Sequence, residues 1–338
     1  MTKWKLPPSA LFSIPPGDHL ILWADSESYQ GVNHLPFSLK KNGEEIAIIG
    51  SDGETIIDSS HAMTLETRPE SLIIIGSGAI GMEFAYIYNA FGTEVTIIEM
   101  LDRIVPLEDE EVSKLALRSF KKQGMNIQTS KAVKAIEVND NGATVTFTDV
   151  GDESKEESIS GEKVLVAIGV APRCDGLFAD SLNIELEHGF ILTDAKSATE
   201  PTYQTSVAGI YAIGDIIGRP LLAHVASEEA VTCIERMNSH HTLGVDYNSI
   251  PGCTYTNPQI ASIGKTEQQL VEDGVEYIKG VYSLKSHGKA IAVGATEGMV
   301  KLLASKPYGE ILIHRFPVLE TYKIDLSSIH GRRFGQIG

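Results

Sequence analysis

Apolar positions first fall into a clear order between residues 71 and 99, SLIIIGSGAIGMEFAYIYNAFGTEVTIIE. Residues 72–75 form an unbroken apolar run, too short for a helix and β-branched enough for a strand buried on both faces. From 79 to 91 the apolar residues recur at helical spacing, and Gly92 stands where such a helix would end. Residues 95–98 predict a second strand, which ends at Glu99. Upstream the pattern is weak: residues 1–45 are proline-rich without a period, with short strands predicted only at 20–23, 46–49 and 55–57. Downstream, acids at 108–111 open a helix that carries Leu115, Leu117 and Phe120 and closes at Lys121, Lys122 and Gly124. Residues 125–128 predict the next parallel strand. Residues 132–138 and 143–149, flanking Asp140-Asn141-Gly142, predict a hairpin. The polar stretch 151–161 predicts an exposed loop, and 163–169 a buried strand ending in glycine.

A further strand is expected at 210–213, with Asp215 at its carboxyl end. A helix starts near Leu221 and buries Val225, Ala226, Ala230 and Ile234. Past Pro251 the character changes. Alternating or apolar segments at 253–264, 276–284, 290–295 and 298–305 predict an antiparallel sheet, with a helix over 266–273 on one side. The chain thus reads as α/β followed by an α+β domain.

The glycines between the first strand and helix carry chemistry. Gly76, Gly78 and Gly81 have the spacing G-x-G-x-x-G. Gly76 allows a tight turn, Gly78 lets the backbone approach a pyrophosphate, and Gly81 lets helix and strand pack closely. The helix start offers free N–H groups and partial positive charge to the phosphates. Glu99 is placed to accept from a ribose 2′-OH, so strand, triplet, helix, strand and acid together predict a dinucleotide-binding βαβ unit. At Asp215, the acid beside Gly214 is either a turn residue or an acceptor for a ligand hydroxyl.

Composition narrows the class. The 338 residues suggest about two domains, with ordinary hydrophobic and charged contents of 42% and 22%. A net charge of −17 argues against nucleic acid or an anionic membrane as partner, and no apolar run approaches a membrane span. Prolines at 7, 8, 15 and 16 break the N-terminal stretch, so no signal peptide is expected and the cytoplasm is the expected compartment, with an organelle matrix as the alternative. Cys174, Cys233 and Cys253 lie far apart in sequence, with no C-x-x-C and no metal-ligand spacing, and read as plain thiols.

Several stretches in register carry a family resemblance: 55–87, 99–125, 164–177, 209–231 and 255–270, including EMLDRIVPLEDEEVSK and GIYAIGDIIGRPLLAHVASEEAV. Over about residues 53–313 the chain resembles the FAD- and NAD-linked pyridine nucleotide–disulfide oxidoreductases, in particular their dihydrolipoamide dehydrogenase branch. The resemblance implies a Rossmann-like NAD domain at 61–188 and a partial FAD domain at 189–246, with an atypical segment 1–60 before them. A partial α+β dimerisation domain follows at 247–338. It implies that Gly76, Ser77, Gly78, Ala79, Ile80 and Gly81 hold the NAD pyrophosphate, that Glu83 reaches the nicotinamide side, and that Glu99 binds the adenosine ribose. A carboxylate there favours NAD over NADP. Val133 and Gly169 would line the NAD site, Asp215 would bind the flavin ribityl chain, and Leu221, Leu222, Ala223 and His224 would lie along the isoalloxazine. His224 is expected to contact the flavin through backbone, without proton-transfer work. A homodimer and docking in a 2-oxo acid dehydrogenase complex are implied as partnerships.

The chain also departs from the family pattern. The family's own first G-x-G-x-x-G, its C-x-x-x-x-C redox pair and its C-terminal His-Pro dyad have no counterpart, although His314, Glu320 and His330 are present. The expectation is therefore an incomplete or truncated oxidoreductase that passes electrons from dihydrolipoamide to NAD, with no assigned catalytic or metal-ligating residue. An NAD-binding pseudoenzyme and a related NADH-dependent flavoprotein are the alternatives.

Overall fold

Leu72 to Ile75 have almost no exposure, and the structure shows why the strand is apolar at every position. The computed structural model describes residues 52–318 apart from 175, 197–199, 219, 241, 243, 307, 308 and 310. The strands expected at 20–23 and 46–49, Glu320 and His330 lie outside these residues.

The first part of the chain runs β1 (Ile56–Ile57), α1 (Ser59–Ala62), β2 (Ser71–Ile75), α2 (Ala79–Ala90), β3 (Glu94–Ile98), α3 (Glu110–Lys122) and β4 (Asn126–Gln128). It continues through β5 (Lys131–Asn139), β6 (Gly142–Asp149), β7 (Asp152–Gly161) and β8 (Lys163–Val166). A parallel sheet has the order β1-β8-β2-β3-β4. Successive side chains of β2 point to opposite faces. Leu72 and Ile74 pack with Met82, Ala85, Val112, Ala116 and Phe120 of α2 and α3. Ile73 and Ile75 pack with Ala143, Val145 and Phe147 of β6. Helices cover one face and a second sheet the other, so both faces are dry.

That second sheet, β5-β6-β7, corrects the loop expected at 151–161. Residues 152–161 are the strand β7, paired antiparallel with β6 from Ala143↔Gly161 to Asp149↔Asp152. Its side chains are mostly exposed acids and serines, and Ile159 is the apolar residue that reaches the core. An edge strand held by backbone pairing needs no apolar alternation, and its charges discourage further pairing. Polarity alone therefore misread it.

Residues 169–250 form a unit of their own. It contains the hairpin β9 (Leu186–Glu187) and β10 (Phe190–Ile191), a 3₁₀ turn at Gly214–Ile217, and α4 (Ala223–Met237). Its core is built on Ile191, Ala195, Tyr203, Ile217 and Cys233. Two expectations change here. Residues 210–213 are not a strand: a single bridge joins Tyr211 to Gln204, and no sheet strand lies beside it among the described residues. An apolar run becomes a strand only when a neighbour takes its hydrogen bonds. Asp215 accordingly stands in the first turn of the 3₁₀ segment. The fully buried residues of α4 are Val225, Glu229, Thr232 and Cys233, while Ile234 is 56% exposed. The hydrogen bonds of Glu229 turn the helix onto a face that apolar periodicity does not mark.

The chain then rejoins the first unit through β11 (Gly252–Thr254), β12 (Gln259–Gly264), α5 (Glu267–Glu272), β13 (Tyr277–Ser283), α6 (Gly288–Ala292), β14 (Met299–Ser305) and β15 (Ile311–Val318). The sheet is antiparallel in the order β11-β12-β15-β14-β13. Thr266 and Gln269 form a reciprocal capping box at the start of α5, and Leu270 packs on Leu303. The strand expected at 290–295 is replaced by α6. Its alanines favour helix, and Ala290 is its buried residue. No helix among the described residues is long and apolar enough to cross a membrane.

Candidate functional site

The three glycines of the motif serve different masters. Gly76 has φ +98°, and a Cβ there would stand 2.6 Å from the carbonyl oxygen of Ala167. A Cβ on Gly81 would stand 2.2 Å from the carbonyl oxygen of Gly76. Both are therefore required by the chain's own packing. Gly78 is different: its backbone is extended, and a Cβ would meet nothing within 4 Å. The space over Gly78 is open, as a ligand that approaches the backbone requires.

Gly78 is also the N-cap of α2, which has no side-chain cap and no acid in its first turn. The contrast with α3 is informative. There Asp109 caps the helix and Glu110 and Glu111 occupy the first turn. One helix satisfies its own N-terminal donors, and the other leaves them for an anion. Ala79 and Ile80 are exposed beside this opening.

Glu99 follows the end of β3 and is 7% exposed. Its Oε2 accepts from the Ser77 amide at 2.8 Å and from the Ser77 hydroxyl at 2.6 Å. Its Oε1 accepts from the Leu101 amide at 2.8 Å. The carboxylate is thus brought to the glycine loop. Glu83 is on α2, half-buried, and accepts from the Tyr255 amide at 2.7 Å, which ties the helix to the chain just after β11. Beside it, burial and then the Glu83 charge push the Cys253 thiol above its usual range. Val133 lies on β5 opposite Phe147 and packs against the core between the two sheets.

The other expected residues belong to the unit 169–250. Gly169 has φ +157° with open space at its Cβ position. Asp215 is exposed on its 3₁₀ turn. Leu221 and Leu222 are half-buried, Leu222 is the N-cap of α4, and Ala223 and His224 are exposed at its start. The 3₁₀ turn and α4 are joined by Glu229, which the sequence reading passed over. This buried carboxylate accepts from the Gly214 amide at 2.6 Å and from the Tyr247 hydroxyl at 2.7 Å. Burial first, then the hydrogen bonds with Tyr203 and Glu229, push the Tyr247 phenol far above its ordinary value. The signal was an acid at i+4 from Val225 on a helix face otherwise read as apolar.

Three carboxylates, Asp109, Glu111 and Glu267, also converge, with ligand atoms within 4.8 Å of one another. The Lys301 ammonium lies among them, at 2.8, 2.7 and 2.5 Å respectively. Cys174 donates to the Gly189 carbonyl, Cys233 is buried in the core, Cys253 lies on β11, and all three are free thiols.

The family model for pyridine nucleotide-disulphide oxidoreductases matches residues 37–230, and that for the dimerisation domain of the same proteins matches 250–313. The chain belongs to the pyridine nucleotide-disulphide oxidoreductase family. Within it the chain is similar to dihydrolipoyl dehydrogenase of Rhizobium etli, 38% identical over 268 residues, covering 78% of this chain and 53% of that protein. It is 37% identical to the mitochondrial dihydrolipoyl dehydrogenase of Pisum sativum over 280 residues, 82% of this chain and 54% of that one. Leghemoglobin reductase of Glycine max is 36% identical over 281 residues, 82% and 52% of the two chains. The chain spans about half the length of the curated relatives it matches. Among solved structures, LpdA from Mycobacterium tuberculosis aligns with a TM-score of 0.72 at 22% identity, covering 83% of this chain and 60% of that one. The HOCl-induced flavoprotein disulfide reductase RclA from Escherichia coli aligns with a TM-score of 0.71 at 21% identity, covering 83% and 62%. At these identities the two structures speak for the fold alone.

Proposed function

We propose that this chain carries the NAD-binding half of a dihydrolipoyl dehydrogenase-like flavoprotein oxidoreductase. The observation that carries the reading is the uncapped start of α2 at Gly78, open to solvent, with the Glu99 carboxylate beside it. Backbone N–H groups from Gly78 to Gly81 bind the pyrophosphate, Ser77 holds the Glu99 carboxylate beside them, and Glu99 accepts from the adenosine ribose and disfavours the 2′-phosphate of NADP. Glu83 is assigned to the nicotinamide side and Val133 to the lining of the site. Nicotinamide accepts a hydride, and the protein's part is to bind and orient it.

The unit 169–250 fits the second half of a flavin site. The exposed Asp215 carboxylate, on a turn held from behind by Glu229, is suited to accept from a ribityl hydroxyl. Leu221, Leu222, Ala223 and His224 supply a wall for the ring system. FAD, when bound, would supply the electron transfer. The segment 250–313 supports a homodimer. Docking in a 2-oxo acid dehydrogenase complex and a cytoplasmic location complete the proposal.

The cysteines favour a second reading. Disulfide exchange needs a thiolate and a second sulfur within bonding reach. Cys174, Cys233 and Cys253 are free thiols, and none is disulfide-bonded. On this second reading these residues act as an NAD-binding module. Titration calorimetry with NAD and NADP, the visible absorbance of the purified full chain, and dihydrolipoamide-dependent NADH formation test both readings. NAD binding with yellow colour and turnover supports the first, and NAD binding without turnover supports the second. Failure to bind NAD sinks both.

A further inference from the structure

Ser77 occupies the first variable position of G-x-G-x-x-G, where the turn makes no demand on the side chain. Yet it is fully buried, and each of its polar groups is engaged. Its amide and hydroxyl both donate to Oε2 of Glu99, at 2.8 and 2.6 Å. Its carbonyl accepts from the Val105 amide at 2.8 Å. Ser77 is therefore clamped between the glycine turn and the loop that follows Glu99.

A carboxylate offers about four acceptor sites, two on each oxygen. Ser77 takes both sites on Oε2, and the Leu101 amide takes one on Oε1. One site on Oε1 remains for a ligand. We infer that Ser77 is a positioning residue for dinucleotide choice: it locks one oxygen of Glu99 and leaves the other for a single ribose hydroxyl. The inference rests on the NAD reading above and deepens it. A carboxylate held by three donors is preorganised for that hydroxyl and cannot swing aside for a 2′-phosphate. Without the Ser77 hydroxyl it regains rotamer freedom. NAD then gains less and NADP is excluded less.

The test is calorimetric affinity of the full chain for NAD and for NADP in the wild type, Ser77→Ala, Glu99→Gln and the double variant. A purely structural loss would weaken both ligands together and leave their ratio unmoved. The expected result is a fall of about tenfold in the NAD-to-NADP preference on Ser77→Ala, the scale of one hydrogen bond to a charged group. In the Glu99→Gln background the same substitution should leave the ratio unchanged, because Ser77 acts through the carboxylate. A Ser77→Ala protein that keeps the wild-type preference overturns the inference while the NAD reading stands. A wild-type chain that binds neither dinucleotide, or both equally, overturns the reading beneath it.

Discussion

The ammonium of Lys301 lies 2.8 Å from Oδ1 of Asp109, and neither side chain is exposed beyond 1%. Asp109 joins two elements at once. It accepts from the Glu111 amide at the start of α3 and from the Glu267 amide at the start of α5. Through Lys301 it is also fastened to β14. This buried cluster fixes the antiparallel sheet to the dinucleotide fold within their common unit.

Lys301→Met should therefore cost about 3–5 kcal/mol, because it leaves Asp109, Glu111 and Glu267 facing one another without a counter-charge. Urea denaturation measures it. A loss well under 1 kcal/mol would show that the cluster does not hold the sheet in place.

The same cluster predicts acid sensitivity. Burial alone would raise the Glu267 carboxyl, but hydrogen bonds from Lys301, Tyr277 and Lys279 outweigh it and hold the value at about 2 instead of 4.5. Asp109 is lowered as well: burial opposes ionisation, and Lys301 with the Glu267 amide overcomes it. A carboxyl lowered in the folded state gives stability that is fully present above its unfolded value and lost as pH falls through the folded one. For Glu267 that window runs from 4.5 down to about 2, and by linkage it is worth roughly 3 kcal/mol. Urea midpoints measured across this range should drop, and Glu267→Gln should flatten the profile.

Two alanine substitutions in the glycine motif should have opposite signatures. Gly78→Ala meets open space and should leave stability within about 0.5 kcal/mol while NAD binding collapses. Gly81→Ala drives a Cβ to 2.2 Å from the Gly76 carbonyl and should cost about 1–3 kcal/mol. Thermal melts with NAD titrations separate them. Equal loss of stability in both would refute the assignment of Gly78 to the ligand.

Glu229→Ala removes the partner of the Gly214 amide and of the Tyr247 hydroxyl, and should cost roughly 1–3 kcal/mol. Hydrogen exchange at Gly214 should speed up. If it does not, Glu229 is not what holds the turn that carries Asp215.

Much of the α/β part was legible because burial there is two-sided and continuous. Leu72 to Ile75 and Val95 to Ile98 announce themselves as core strands, and the acids at 108–111 mark the start of α3, whose N-cap is Asp109. Two of the errors share one cause. β7 is polar yet paired, 210–213 is apolar yet without a strand beside it, and α6 has an apolar run that alanine turns helical. Whereas α6 follows the helix propensity of its alanines, for β7 and 210–213 the outcome depended on a neighbour distant in sequence, which local periodicity does not name. On α4 the buried Glu229 replaced Ile234 for the same reason, since its partners come from residues 214 and 247.

The chain's own order of residues determined the βαβ unit, the three glycines and the acid that ends the second strand. Steric need and apolar periodicity are local, so they can be read without folding the chain. Only the tertiary structure decided which glycine is open to a ligand. It also decided that Ser77 and Leu101 already occupy most of the Glu99 carboxylate, and that Lys301 is buried among three acids. Those are statements about who meets whom, and hydrogen bonds and ion pairs acquire partners only when distant segments are brought within about 3 Å.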